Sequence, residues 1–218
     1  EPEESDNYEL GYRFSSASSY MELVGFHVDY DRLLETCGIA QGCAGSPQNS
    51  VNQGKAHVTG MEFLYKVNNL FAAPQMKGAA NTGSGIRYPF LLAVTLQEAE
   101  HDNTTSSSVA DGARIAYTPE EIYYVSLGME TNDWNMSIGG KYHDDVYNKG
   151  VSTAAKTESA WVFDLRSAMS LDKMGYGGAT AFFRVDNLFD KTYLASAHEY
   201  GVRPNKPQTI MAGISLDF

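Results

Sequence analysis

Basic charge is scarce in this chain. Lys and Arg number 16 against 27 Asp and Glu, so its 218 residues carry a net charge of −11 and a pI near 4.8. A nucleic-acid binder needs a basic face against phosphates, and this balance argues against one. Long apolar runs are also missing. None approaches the ~20 residues of a membrane-spanning helix, which excludes a helical membrane protein. Cysteine is limited to Cys37 and Cys43, without the two further ligands nearby that a zinc site would need. No Ser sits in a nucleophile-elbow pattern and no Ser–His–Asp spacing stands out, which argues against an esterase; no metal or cofactor is expected. There is neither an initiator Met nor an apolar leader at Glu1. The expectation is that a leader has been removed or that the chain is a piece of something longer.

What is abundant is aromatic residues and glycine: 14 Tyr, 10 Phe and 20 Gly, with a mean hydropathy of only −0.33. The chain is rich in strand formers without being oily. Its period is two. Ile210, Ala212, Ile214, Leu216 and Phe218 alternate with Met211, Gly213, Ser215 and Asp217, one face apolar and the other small or polar. The same alternation runs through Tyr123–Met129, Trp134–His143 and Trp161–Ser170. Further strands are expected at about Tyr8–Phe14, Tyr20–Leu33, Ala56–Val67, Tyr88–Ala99 and Ala179–Leu188, giving nine strands and no convincing helix.

Alternation alone does not separate a soluble sandwich from a barrel in lipid. Three features favour the barrel. The apolar faces carry essentially no charge, while the opposite faces hold Glu9, Arg13, Glu62, Lys66, Lys141, Asp164, Arg166, Arg184 and Asp186, as a water-filled or plugged interior would. Aromatics crowd the strand ends, where girdles meet a membrane interface. Connections alternate between short (Ser15–Ser19, Thr131–Asp133, Asp172–Gly178) and long and polar (Glu35–Gly54, Glu100–Glu121, Tyr147–Glu158). The long segment Asn68–Ile86 on the short side breaks that rule. If the chain ends at the periplasmic rim, Tyr8–Phe14 runs inward from outside. An odd number of strands starting there does not close as a conventional even-numbered barrel. The alternatives are a small passive pore and a soluble all-β binding module.

Several segments resemble the C-terminal barrel portion of TonB-dependent outer-membrane receptors of the ferric dicitrate or siderophore type. Pro2 to Gly11 resembles a P-E-x-S-x-x-Y-E-x-G opening to a mid-barrel strand, and Thr59-Gly60-Met61-Glu62 resembles a G-x-E strand. Val185-Asp186-Asn187-Leu188-Phe189-Asp190-Lys191-Thr192-Tyr193 resembles the penultimate-strand signature V-x-N-L-F-D-x-x-Y. Gly201 to Thr209, leading into the terminal strand, resembles the last loop. The resemblance covers the whole chain, 1–218. It implies an all-β antiparallel transmembrane barrel segment, the last nine of 22 strands, with the plug domain absent.

The resemblance also implies a function. A receptor of this family takes up a ferric chelate at the outer membrane of a Gram-negative cell, energised by TonB through the plug, and is not an enzyme. Its partners would be the chelate, TonB, the lipid bilayer and the outer-membrane assembly machinery, for which Phe218 resembles the C-terminal signal. His143, His198, Tyr200 and Arg203 lie at or in expected external loops and are the candidate ligand contacts. Arg against carboxylates, with Tyr or His near the complex, suits an iron chelate; solvated loop residues are the plainer reading. Cys37 and Cys43, five residues apart in a polar stretch, read as a small disulfide in an oxidising compartment, with free thiols as the alternative. The pairs Asp164/Arg166 and Arg184/Asp186 are expected to form an ion-pair ladder across adjacent strands.

Overall fold

A computed structural model describes residues 2–36, 50–52, 54–71, 85–102, 110–147, 156–198 and 201–217. Cys37, Cys43, Tyr200 and Phe218, and with them the expected disulfide and terminal signal, lie outside the described residues.

The described residues form fifteen strands in the order β1 Glu4–Ser15, β2 Ser19–Asp31, β3 Leu34–Thr36, β4 Ser50–Asn52, β5 Lys55–Val67, β6 Phe90–Asp102, β7 Glu121–Glu130, β8 Trp134–His143, β9 Val146–Tyr147, β10 Lys156–Thr157, β11 Ala160–Ser170, β12 Ala179–Asp186, β13 Leu194–His198, β14 Gly201–Pro204 and β15 Thr209–Leu216. Nine of them make one antiparallel sheet ordered β1-β2-β5-β6-β7-β8-β11-β12-β15. The sheet is a meander in chain order. The three numbering gaps are two-stranded ribbons, β3–β4, β9–β10 and β13–β14, and all three rise from connections at the same end. Among the described residues the only helical element is a 3₁₀ turn, Asp172–Met174, in one of the short connections at the other end.

Register turns the alternation into two continuous faces. Leu127, Ile138, Leu165, Val185 and Ile210 are direct cross-strand partners in one row. Tyr12, Leu23, Phe63, Val94, Tyr123 and Tyr142 form another. This apolar face is open to its surroundings: Leu10 is 85% and Ile214 65% exposed. Along β8 it runs from Trp134 to Tyr142. At ~3.3 Å per residue and a tilt near 40° this gives a band of about 20 Å, close to the ~25 Å of outer-membrane barrels.

The opposite face carries Arg13–Glu22 at 2.9 Å and the Asp164, Arg166, Arg184 and Asp186 group. On this face aromatic rings lie against glycines. A Cβ on Gly60 would stand 2.5 Å from the Phe26 ring and 2.7 Å from the Leu96 carbonyl, and one on Gly213 2.6 Å from the Phe182 ring. Each ring spreads over the space its glycine partner leaves, which keeps the wall low in profile.

The expected ladder takes a different form. Arg166 and Arg184 are direct partners, so like charges face each other. Asp186 therefore pairs along its own strand with Arg184 and outward with Lys206 at 2.9 Å. Asp164 turns to a backbone donor instead, the N–H of Asn187 at 2.9 Å. Asp186 thus compensates the cations of its own strand and loop, and among the described residues no ion pair joins β11 to β12.

Candidate functional site

The end with the three ribbons is where side chains of mixed chemistry gather. The connection after β6 doubles back beside that strand. Ile115 N–H bonds the Ala99 carbonyl at 2.9 Å, and Gln97 N–H the Glu120 carbonyl at 2.8 Å. This sets Arg114 beside Glu120, with Nε 2.6 Å from the carboxylate and the guanidinium carbon 5.2 Å from the centre of the Tyr147 ring. Lys156, from β10, stands 4.4 Å from the same ring centre and 2.7 Å from Asp145. Two cations thus share one aromatic ring, and each has its own carboxylate. Because its cations are already compensated, the cluster acts as a staple between two connections and is poorly suited to drawing in an anion.

The hydrogen bond from Lys156 holds the Asp145 carboxyl below its usual range, with the charge of Arg114 adding to it against partial burial. Lys156 is raised in turn, first by Asp145 and then by Tyr147. A depressed acid contributes stability above its unfolded pKa of ~3.9 and loses it as pH falls through the folded value; a raised lysine contributes below ~10.4 and loses it as pH rises through its own. The β9–β10 ribbon is therefore expected to keep constant protection from about pH 5 to 9 and to loosen below about pH 4. Amide exchange corrected for its intrinsic pH dependence reads this. Asp145→Asn removes the acid limb; an unchanged limb in that variant would refute the assignment.

His143 lies at the end of β8, its ring 5.0 Å from that of Tyr193 and its Nδ1 3.2 Å from the Asp144 carbonyl. Its buried Nε2 has no partner among the described residues. Burial raises the Tyr193 phenol. Arg203 is exposed on β14 opposite Ser196, and His198 pairs with Gly201 on the same ribbon. The sequence candidates therefore fall into two places: His143 at the base of the loops, His198 and Arg203 on the ribbon above it. Arg203 has no ion-pair partner among the described residues. Arg114, Tyr117, Tyr147 and Lys156 are absent from the sequence reading. Nothing in their spacing marks them, because they come from different connections and meet only through the sheet. Among the described residues no group of three or more His, Cys, Asp or Glu is placed to hold a metal ion.

The signature Val185–Tyr193 has a structural role. Asn187, 3% exposed, donates to the Lys191 and Lys206 carbonyls at 3.0 and 3.1 Å and accepts from the Lys191 N–H at 2.9 Å. Asp190 accepts from the Gln208 N–H at 3.0 Å. Asn187 and Asp190 both have left-handed backbones, with φ of 53° and 48°. The motif closes the base of the last connection.

A depression of about 700 Å³ at the same end is lined by Glu4, Asp6, Asp29, Asp31, Lys55 and Asp102 among others. These charged residues belong to the alternating set that continues the apolar face. Five carboxylates against one lysine repel an anionic chelate, so this depression is not its site.

Outward aromatics adjoin across β7, β8, β11 and the connection after β12: Tyr123 stacks on Tyr142 at 5.3 Å and Trp161 on Phe163 at 5.7 Å, Tyr142 tilts against Trp161 at 5.4 Å, and Phe163 meets Phe189 edge-on at 5.5 Å. This is the continuous belt expected where a barrel wall meets an interface.

A family model described as "TonB dependent receptor-like, beta-barrel" matches residues 1–188. No curated protein sequence matches the chain. Solved structures do match. The ferric-catecholate import receptor Fiu from E. coli has a TM-score of 0.70 at 20% identity, over 100% of this chain and 28% of that one. The ferric yersiniabactin uptake receptor FyuA from Yersinia pestis gives 0.74 at 18%, over 99% and 30%. The copper transporter OprC gives 0.70 at 16%, over 100% and 32%. The chain spans less than a third of the length of each. At these identities the likeness is one of fold, and the cargoes named for the three proteins differ.

Proposed function

The chain belongs to the TonB dependent receptor-like β-barrel family, and from that premise we propose that it supplies barrel wall and external loops to an outer-membrane receptor importing a ferric chelate, of siderophore or iron-dicitrate type. The observation that carries this reading is the two-faced wall: an uncharged apolar band on one side, a charged face on the other, and ribbons gathered at one end. A closed sheet satisfies its backbone hydrogen bonds in lipid, which a wall of this kind needs. The charged face would line the lumen and contact a plug domain, through which TonB would draw on the inner-membrane proton gradient. Phe218 would serve the assembly machinery as its C-terminal signal. No bond is made or broken, and the cargo is iron in its chelate.

Arg203 is the residue proposed to meet that cargo, with His198 and Tyr200 beside it in sequence and His143 beneath. Its exposed guanidinium suits the carboxylate or catecholate oxygens of an anionic chelate. The test uses the full-length receptor and a panel of ferric dicitrate, a ferric catecholate and a ferric hydroxamate, with copper as the comparison. One ferric chelate is expected to bind, and Arg203→Glu to weaken it by about tenfold, the scale of a lost charge-assisted contact. Binding of copper alone, or of none of the four, would overturn the reading.

A further inference from the structure

Tyr117 stands in the connection between β6 and β7 and bonds to two of the other three connections at this end, those after β8 and after β12. Its N–H donates to the Tyr147 carbonyl of β9 at 3.0 Å, and its hydroxyl donates to the Ala197 carbonyl of β13 at 3.0 Å. Its backbone is left-handed, with φ of 60°, a conformation unfavourable for a tyrosine because its Cβ crowds the following carbonyl. Such a conformation persists where the surroundings over-determine it. Here the segment is clipped to β6 on both sides of Tyr117, by Ile115 to Ala99 and by Gln97 to Glu120. The left-handed turn directs the N–H to one ribbon while the phenol reaches the other.

We propose that Tyr117 is the keystone that makes the three connections open and close as one unit. The Arg114–Tyr147–Lys156 staple strengthens the link to the β9–β10 ribbon, while the phenol of Tyr117 ties in the β13–β14 ribbon. For the proposed transport function the consequence is reciprocal coupling: cargo held at Arg203 on β14 tightens β9–β10, and the reverse. That consequence rests on the transport reading, but the coupling itself exists without cargo.

The test is amide exchange on the full-length protein in lipid or detergent, with no ligand added. In Tyr117→Phe, exchange in β13–β14 is expected to quicken about five- to tenfold, the scale of one lost hydrogen bond, and in β9–β10 to quicken less, since the Tyr117 N–H and the staple still hold it, while β11 and β12 stay as in the wild type. Tyr117→Gly retains the N–H donor, suits the left-handed backbone and lacks the phenol. It should give the same separation of the two ribbons, so the test survives if the Phe variant assembles poorly. Ribbons exchanging as in the wild type in both variants would overturn the proposal. Equal acceleration of β11 and β12 would also overturn it, since the contact would then serve the whole wall. If β13–β14 quickens in both variants while the wild-type receptor binds no ferric chelate, the transport reading falls and the keystone stands.

Discussion

Replacing Asn187 with alanine is expected to release the connection between β12 and β15 while leaving the nine-stranded sheet in place. The amide of Asn187 makes three hydrogen bonds to backbone groups, two with Lys191 and one with Lys206, and it does so from a nearly inaccessible position. Each such bond contributes about 1 kcal/mol, and stranded carbonyls add to the loss. The left-handed backbone at φ 53° suits asparagine better than alanine, by roughly another 1 kcal/mol. The sum, about 3–4 kcal/mol, falls on one loop, because the wall strands keep their ladders. Trypsin reads the result at Lys191, which precedes Thr192, whereas Arg203 and Lys206 each precede a proline and are not cut. Cleavage there should accelerate more than a hundredfold, at the ~1.4 kcal/mol per tenfold that relates energy to population. Asn187→Gly should recover about 1 kcal/mol of that loss by relieving the backbone alone. Unchanged cleavage in the alanine variant would mean that Asp164, Asp190 and Asn205 hold the loop without it.

This latch shows what the sequence discloses and what it conceals. The signature around Asn187 was visible as a resemblance, but its role was not. A motif read as text does not say that its amide points back to carbonyls four and nineteen residues on. The wall itself was legible almost throughout, because period-two alternation is a direct consequence of the pleat and each apolar face must be continuous across the sheet. All nine expected strands are present. Their ends were less legible. β1 starts at Glu4, ahead of Tyr8, and β6 runs on to Asp102, past Ala99, since strands extend beyond the apolar band carrying acids that no hydropathy pattern marks. β12 stops at Asp186, short of Leu188, because the left-handed Asn187 follows it. The ribbons β3–β4, β9–β10 and β13–β14 carry no mark in the sequence beyond that of polar loops, being too short to alternate. The staple at Tyr147 was out of reach altogether. Arg114 and Lys156 are 42 positions apart, and only the sheet between them makes them neighbours.

A charge at the middle of the apolar face tests the membrane reading itself. Leu165→Arg, in the full-length protein, is expected to cost about 2–4 kcal/mol if the face meets the middle of a bilayer, enough to deplete the folded form in the outer membrane. Leu165 sits at the centre of β11, between Ile138 and Val185 in its row. Trp161, at the aromatic belt, is four residue pairs nearer the rim, and arginine there should cost about 0–1 kcal/mol, because the side chain reaches headgroups. On the opposite face, Ser126→Arg places its charge one glycine away from Asp164 in the row Ser126–Gly139–Asp164 and should be tolerated. The folded fraction is read from heat-modifiable mobility of membrane-assembled protein, and partition from flotation with lipid. A soluble module would also object to a charge in its core, so depth and partition decide between the two. In lipid the penalty fades from Leu165 to Trp161 and the wild-type protein floats; in a soluble module the protein stays in the aqueous fraction without detergent. The exposure of Leu10, Tyr8 and Ile210 on the sheet's two outer strands favours the first outcome. Apolar surface of that extent, rimmed by unpaired strand edges on β1 and β15, is unstable in water unless lipid and further strands cover it.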